Sequence, residues 1–330
     1  MIEPNAFIIG KTVIPWSAIL IVFAILAWFF FAYSFAGEEK KDRIAVLCML
    51  PLSILFSFFF CRLLYWYSNQ SQYAGFGAAL TSRSLTAFSL LGILPGIALS
   101  AGLIRLVKIN DDLPGILDTF AAPTAALSGL FYLTCFFTSA CRGKFTVTNP
   151  AFTRFPVSVI TTDALGNEQY RFATFFAGFV LMSIVCALTL LFYVKYAKKK
   201  GATLCFFLLF YSAVQFILES TRYDAGYFPF NGFVSIIQIA SAASIVGATV
   251  FYSITSVKRT GMRAVYPILW ISLLLCIGAT GYLEYLVQRH GDMAGRIYPG
   301  MAISCLGMAL IPTLIFLSSK PKLQKNESKE

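Results

Sequence analysis

The stretch Tyr211-Ser-Ala-Val-Gln215-Phe-Ile-Leu-Glu219-Ser-Thr-Arg222-Tyr-Asp224 says most about how this chain folds, because a long apolar segment ends there in four polar side chains. Gln215 and Glu219 are four residues apart and share one face of a helix, and Arg222 lies about one turn further on. Inside a membrane, an ionisable side chain is costly unless it faces protein or water. In a membrane protein this polar turn therefore indicates a functional or structural polar site.

The composition of the chain is that of a membrane protein. Hydrophobic residues make up 58% and charged residues 12% of the sequence, and the mean hydropathy is +0.74. Soluble domains carry about 25% charged residues, and a spanning helix needs about 20 mostly apolar residues. The segments that qualify lie near 13–36, 44–67, 86–107, 113–139, 172–196, 202–219, 233–256, 265–286 and 299–318. We therefore predict an all-α polytopic membrane protein of about nine helices with a small outer loop region, and we expect no cleavable signal peptide.

The distribution of basic residues predicts the orientation of the chain. The net charge is +11, and 16 of the 26 lysines and arginines fall in alternate loops if the loop at 197–200 is cytoplasmic. These residues are Lys40, Lys41, Arg43, Arg105, Lys108, Lys195, Lys198, Lys199, Lys200, Lys258, Arg259, Arg263, Lys320, Lys322, Lys325 and Lys329. This positive-inside bias predicts an N-terminus outside and a C-terminus in the cytoplasm. Topology and anionic headgroups explain the charge excess, so no nucleic-acid partner is expected.

The cysteines and the single histidine give no sign of a disulfide framework or a metal site. Only Cys141 lies near the boundary of a predicted helix, and the other seven cysteines lie within apolar segments, where cysteine behaves as a small hydrophobe. His290 has no cysteine or carboxylate at ligand spacing. We expect no metal and no other cofactor.

Ionisable residues gather at or just beyond the predicted outer ends of the helices. They are Arg62, Arg142, Lys144, Glu219, Arg222 and Asp224. Cations beside carboxylates can hold a phosphate headgroup by charge-assisted hydrogen bonds. An ion-pair network that locks the loops to the bundle explains the same pattern, and from the residues alone it is the simpler interpretation. In the largest outer loop, about 142–171, alternating residues at 145–148 and 157–159 predict a small strand pair.

Motifs in order over roughly residues 10–256 resemble those of the prolipoprotein diacylglyceryl transferase family. They are Cys61-Arg62-Leu-Leu-Tyr65, Leu90-Leu-Gly92-Ile-Leu-Pro-Gly96, Asp118-Thr-Phe-Ala-Ala-Pro123, the stretch from Tyr132 through Cys135 to Lys144, Arg171-Phe-Ala-Thr174-Phe-Phe176, the stretch from Tyr211 to Arg222, and Gln238. The resemblance implies a multi-pass enzyme of the bacterial plasma (inner) membrane. Such enzymes move diacylglycerol from phosphatidylglycerol to the cysteine thiol of a prelipoprotein. It also suggests a transferase-like core at 1–256, two additional helices at 257–318 and a polar cytoplasmic tail at 319–330.

The resemblance also assigns candidate site residues. The catalytic candidates are Arg142, Glu219 and Arg222, and the candidates for binding lipid or phosphate are Arg62, Lys144, Gln215 and Tyr132. The chain departs from the family pattern at three positions, because the family's histidine falls on Leu90 and two of its arginines fall on Tyr132 and Gln215. Removing one group that stabilises developing charge typically slows a reaction by two or more orders of magnitude.

Two functional hypotheses follow from these departures. The first is a divergent transferase that moves a lipid-derived group to a thiol or other acceptor. The second is a catalytically inactive paralogue that binds lipid or serves as an accessory membrane protein. A transporter is disfavoured, because the sequence shows no inverted repeat and no pair of carboxylates at mid-membrane depth.

Overall fold

The computed structural model describes residues 5–9, 12–37, 40–82, 89–162, 166–196, 199–228 and 231–319. Apart from Ser319, the expected polar tail at 319–330 lies outside the described residues. The same holds for residues 86–88, where the third apolar segment was predicted to begin.

The described part of the chain is dominated by helices. They are α1 (Trp16–Phe35), α2 (Lys40–Ser68), α3 (Phe76–Leu80), α4 (Ile93–Leu106), α5 (Leu113–Thr134), α6 (Thr174–Tyr196), α7 (Ala202–Thr221), α8 (Ile236–Thr260), α9 (Val265–Arg289) and α10 (Ala294–Ser318). Among the described residues, eight of these helices are long and apolar enough to cross a membrane, and α4 is a shorter apolar helix. The prediction of an all-α bundle with about nine apolar helices is confirmed, and the chain is a multi-pass membrane protein.

Local chemistry explains several helix boundaries. Helix α5 begins after Asp112, because the Asp112 side chain caps the helix by accepting a hydrogen bond from the Gly115 N–H at 3.2 Å. Helix α8 begins with a capping box, in which Ser235 and Gln238 each accept a backbone N–H from the other. Gln238 was singled out by resemblance, and its side chain serves this cap.

The strands form short hairpins in the loops. They are β1 (Asn5–Ile9), β2 (Thr12–Pro15), β3 (Ser158–Thr162), β4 (Glu168–Phe172), β5 (Tyr227–Phe228) and β6 (Asn231–Ser235). They form three antiparallel pairs, β1 with β2, β3 with β4 and β5 with β6. The outer loop contains a small strand pair, as predicted, and the predicted run at 157–159 overlaps β3, but the other predicted run at 145–148 is not its partner. Strand β3 pairs with β4 instead, and Thr146 makes only an isolated bridge with Arg171. The local hairpin closes a shorter loop and therefore costs less conformational entropy.

The helices pack around two apolar cores. One core lies among α1, α2, α4 and α5, and the other lies mainly among α5, α6, α7, α8 and α10. Glycine permits the close approach of α4 to α2. A Cβ atom added to Gly96 would lie 2.5 Å from the Ser57 backbone nitrogen and 2.6 Å from its Cα. Small residues commonly allow such backbone contact between membrane helices.

We expect Gly96→Ala to destabilise the bundle by about 1–3 kcal/mol, because the new methyl group overlaps the backbone of α2. Gly102→Ala is the matched control, since it lies on the same helix and an added Cβ there meets no atom within 4 Å. Gly102→Ala should leave the stability of the protein unchanged or raise it slightly, because alanine has a higher helix propensity than glycine. Thermal unfolding in detergent measures both variants, and equal melting temperatures would contradict the close approach.

Candidate functional site

A cavity of about 640 Å³ lies among α1, α2, α4 and α5. Apolar side chains line its part within the bundle, and they include Ile21, Trp28, Phe58, Ile97, Leu127 and Phe131. Small-molecule sites typically have volumes of about 300–1,000 Å³ and mostly apolar walls with a few polar groups. The cavity therefore suits an amphipathic molecule whose apolar part lies within the bundle.

The cavity is polar at the end formed by the last turn of α7 and the loop that follows it. Glu219, Arg222 and Asp224 all line it there. Arg222 Nη1 donates to Glu219 Oε2 at 3.2 Å, and Arg222 Nε donates to Asp224 Oδ1 at 3.0 Å. The exposed fraction of the side chain rises from 1% for Glu219 to 14% for Arg222 and 26% for Asp224. We call these three residues the charged triad.

Backbone N–H groups satisfy the other oxygen of each carboxylate. Gly226 N donates to Glu219 Oε1 at 3.1 Å, and Cys141 N donates to Asp224 Oδ2 at 3.0 Å. Burial acts to raise the pKa of Asp224, but the Arg222 charge and the hydrogen bonds from Arg222 and Cys141 outweigh it and lower the pKa. Asp224 is therefore ionised at neutral pH.

The loop at 141–144 is bound directly to the end of α7. Lys144 N donates to Thr221 O at 2.7 Å, and Tyr223 N donates to the carbonyl of Arg142 at 3.1 Å. With the bond from Cys141 to Asp224, these contacts hold the loop beside the charged triad. The sequence placed these residues at the same membrane level, and the structure brings their backbones into contact.

Two thiols meet at the same end of the cavity. Cys135 and Cys141 both line it, and their Sγ atoms are 3.3 Å apart. The hydrogen bond to Cys135, together with burial, raises the pKa of Cys141 well above its usual range, so Cys141 is a neutral thiol at pH 7. Sequence reasoning missed this pair. The available signal was the spacing of six residues across the end of a predicted helix.

Tyr132 and Gln215, which stand where the family resemblance expected arginines, form a pair. The Tyr132 hydroxyl donates to Gln215 Oε1 at 2.8 Å, and both side chains are buried. Gln215 Nε2 has no hydrogen-bond partner among the described residues. Neither residue lines the cavity. The two positions are therefore brought together as a neutral contact between α5 and α7.

The backbones of Arg142 and Lys144 lie beside the segment that carries the charged triad, but their side chains are bound elsewhere. Arg142 donates to the carbonyls of Ile160 at 3.3 Å and Thr138 at 3.0 Å. Lys144 Nζ donates to Gln288 Oε1 at 2.5 Å. Neither residue is part of the cavity lining.

Arg62 is buried and also lies outside the lining, although its neighbours Cys61 and Tyr65 belong to it. Its Nη2 atom donates to the Ser82 carbonyl at 2.7 Å, and its guanidinium lies over the Phe58 ring with 5.6 Å to the centroid. Arg62 therefore contacts Ser82, just beyond the end of α3.

The C-terminal helices contact the loops at the same end of the bundle. Gln288, which accepts the hydrogen bond from Lys144, donates to Glu284 Oε1 at 2.9 Å. The Tyr298 hydroxyl donates to the carbonyl of Ser220, in the last turn of α7, at 3.1 Å. Helices α9 and α10 are thus tied to the segment that carries the charged triad.

These features define a class of protein: a polytopic membrane bundle with an amphipathic cavity between its helices and a partly buried charged triad where that cavity meets the loops. Comparison with protein families makes the assignment specific. The sequence model for prolipoprotein diacylglyceryl transferase matches residues 4–254, about three quarters of the chain, and the chain therefore belongs to that family. Helices α9 and α10 lie beyond the match. A search of curated proteins found no match.

Proposed function

We propose that this protein binds a diacyl lipid in the cavity and transfers a lipid-derived glyceryl group to a thiol acceptor, as the family assignment favours. The observation that carries the proposal is the position of the charged triad at the polar end of an otherwise apolar cavity. Acyl chains would occupy the apolar part, and the glyceryl carbon would lie beside Arg222. A prelipoprotein cysteine is the acceptor that the family assignment favours.

The charged triad offers the chemistry that such a transfer needs. The acceptor thiol attacks a glyceryl carbon, so that a carbon–sulfur bond forms and the carbon–oxygen bond to the headgroup phosphate breaks. The negatively charged phosphate monoester that leaves takes up the thiol proton. Arg222 would stabilise that charge. Glu219 and Asp224 orient the guanidinium from two sides. Arg142 is proposed to act indirectly, because its hydrogen bonds fix the loop that bears Cys141.

A second candidate, a lipid-binding protein without transferase activity, is favoured by the pairing of Tyr132 with Gln215. Neither side chain carries a charge that could balance a phosphate. Lys144 and Arg62 are proposed to hold the loops beside the cavity, because Lys144 binds Gln288 and Arg62 binds the carbonyl of Ser82. Phosphatidylglycerol, the donor implied by resemblance, would thus meet fewer cations than the resemblance implied.

The membrane location completes the proposal. The family assignment favours a bacterial plasma membrane. The positive-inside bias favours an orientation with the charged triad facing outwards, the N-terminus outside and the C-terminus in the cytoplasm. The family-like core is proposed to span 1–256, and the helices at 257–318 are proposed to brace the end of α7 through the bond from Tyr298 to Ser220.

Expression in bacteria depleted of their own diacylglyceryl transferase tests the proposal. The wild-type chain is expected to restore lipid attachment to a prelipoprotein, as measured by mass spectrometry of the acceptor. Ile21→Trp should abolish this activity, because Ile21 lines the cavity and the larger ring fills it. Val22→Trp is the matched control, since Val22 is 59% exposed on the same helix and should retain activity.

The outcomes separate the two candidates. Lipid attachment that Ile21→Trp abolishes and Val22→Trp retains supports the transferase. Bound lipid without attachment, again lost only in Ile21→Trp, supports the lipid-binding protein. A purified wild-type chain that retains no more lipid than Ile21→Trp and attaches none contradicts both.

A further inference from the structure

The apolar part of the cavity ends inside the bundle. On each of the four helices around it, one lining residue lies furthest along the helix from the charged triad, and among the described residues these are Trp28, Ser53, Ile97 and Leu127. We call these four residues the cavity floor. Beyond them, the same helices pack together through residues that are at most 1% exposed, namely Ala32, Met49, Ala101 and Phe120. The cavity is therefore closed at the end opposite the charged triad.

The depth of the cavity is close to the thickness of one membrane leaflet. On α1 the lining extends from Ser17 to Trp28, which is about 16 Å of helix at about 1.5 Å per residue. The hydrocarbon core of a bilayer is about 30 Å thick, so that each leaflet takes up about 15 Å. An acyl chain whose glyceryl end lies beside the charged triad would therefore reach Trp28.

Trp28 is held in place from two sides. Its Nε1 atom donates to Thr124 Oγ1 at 3.3 Å, and its ring centroid lies 5.1 Å from that of Phe120. The residue is only 3% exposed. Rotating the ring away would break the hydrogen bond of a buried indole N–H, a group that usually has a partner in folded proteins. The indole ring therefore gives the cavity floor a fixed position.

We infer that Trp28 sets the length of the acyl chain that the protein accepts. This inference rests on the proposed function and deepens it, because it names the residue that selects the lipid by chain length in the same cavity. A chain longer than the cavity would overlap the indole ring or displace the glyceryl group from Arg222, and such overpacking is destabilising. A shorter chain would leave a void whose walls lose their contacts.

The expected selectivity follows from the cost of overpacking. A carbon chain advances about 1.3 Å per carbon, because its bonds of about 1.5 Å alternate in direction. Four more carbons therefore add about 5 Å, close to one helical turn. Extra methylene groups in a closed apolar space should lower the affinity by roughly fivefold or more.

A competition among chain lengths tests the inference. The purified full-length chain is equilibrated with vesicles that contain equal amounts of phosphatidylglycerols, each with two identical saturated chains, in a series from lauroyl to arachidoyl. It is repurified in mild detergent, and its lipids are quantified by mass spectrometry. Lipid retained by Ile21→Trp is subtracted as lipid bound outside the cavity. Retention by the wild type is expected to peak at one chain length and to fall by roughly fivefold or more for a chain four carbons longer.

Replacing the indole ring should change the preferred length. Trp28→Leu removes part of the cavity floor, so the preferred chain should become longer by at least one step of the series. Trp270→Leu is the matched control, because it removes a similar hydrogen bond, from Trp270 Nε1 to Ser253 Oγ at 3.0 Å. Trp270 lies on α9 and does not line the cavity, so the wild-type preference should persist.

A second variant makes the test independent of how well Trp28→Leu folds. Ser53 belongs to the cavity floor, and its Oγ atom has no hydrogen-bond partner among the described residues. Ser53→Leu therefore breaks none of the hydrogen bonds described for the bundle and adds apolar volume to the lining. The preferred chain should become shorter, which is the opposite of the change expected for Trp28→Leu.

Two results would overturn the inference. Equal retention of all chain lengths by the wild type, or a preference that both Trp28→Leu and Ser53→Leu leave unchanged, refutes it and leaves the lipid-binding cavity intact. Retention no greater than that of Ile21→Trp for every chain length removes the cavity as a lipid site, and the proposed function falls with it.

Discussion

Replacing Arg222 by alanine is expected to lower the free energy of unfolding by about 3–5 kcal/mol, which is the usual cost of removing one partner from a buried ion pair. The substitution leaves Glu219, with a side chain only 1% exposed, without its countercharge. It also removes the donor to Asp224 Oδ1. Thermal unfolding in detergent and the yield of monodisperse protein measure the loss, and lipid attachment should disappear with it.

A compensated variant distinguishes charge imbalance from lost packing. Adding Glu219→Gln and Asp224→Asn to Arg222→Ala removes both stranded charges, so the triple variant should recover a large part of the stability but none of the transfer activity. This split is expected because neutral side chains can satisfy the backbone donors, whereas they cannot stabilise a leaving group. An Arg222→Ala protein that melts like the wild type would show that the ion pairs contribute little to stability.

The sequence predicted the membrane bundle and the polar turn because both follow from local patterns. Long apolar segments leave helix as the only conformation that satisfies the backbone in lipid. The spacing of Glu219 and Arg222 places them about one turn apart, and the structure joins them. Asp224 was also expected at this membrane level, although its bond to the Cys141 N–H is a contact between distant parts of the chain.

The side-chain partners of the remaining candidates could not be predicted, because they depend on tertiary packing. Tyr132 and Gln215 are 83 residues apart in the chain, and their hydrogen bond exists only because α5 packs against α7. Lys144 finds its acceptor, Gln288, 144 residues away on a helix beyond the family match. The sequence could place Arg142 and Lys144 at the same membrane level as the charged triad, but it could not show that their side chains bind acceptors outside the cavity lining.

The second large effect is expected at Asp118, at the end of the bundle opposite the charged triad. Its Oδ2 accepts from Gly201 N at 2.6 Å and its Oδ1 accepts from Leu204 N at 2.7 Å. The carboxylate of α5 thus satisfies free N–H groups at the start of α7 and lies at the positive end of that helix. Asp118→Ala should cost about 2–6 kcal/mol, since each buried donor left unsatisfied costs about 1–3 kcal/mol.

Asp118→Asn should lose only part of this stability, because an amide keeps one acceptor oxygen but presents its NH₂ group to the second donor. Thermal unfolding of both variants should therefore rank wild type above Asn and Asn above Ala, with exposed Asp111→Ala unchanged as the control. If Asp118→Ala has the melting temperature of the wild type but loses lipid attachment, the carboxylate has a direct role in the reaction. We expect instead that Asp118→Ala lowers the melting temperature and that activity falls with it. The hydrogen bonds to Asp118 fix the start of α7, and the position of Arg222 beyond the other end of α7 depends on them.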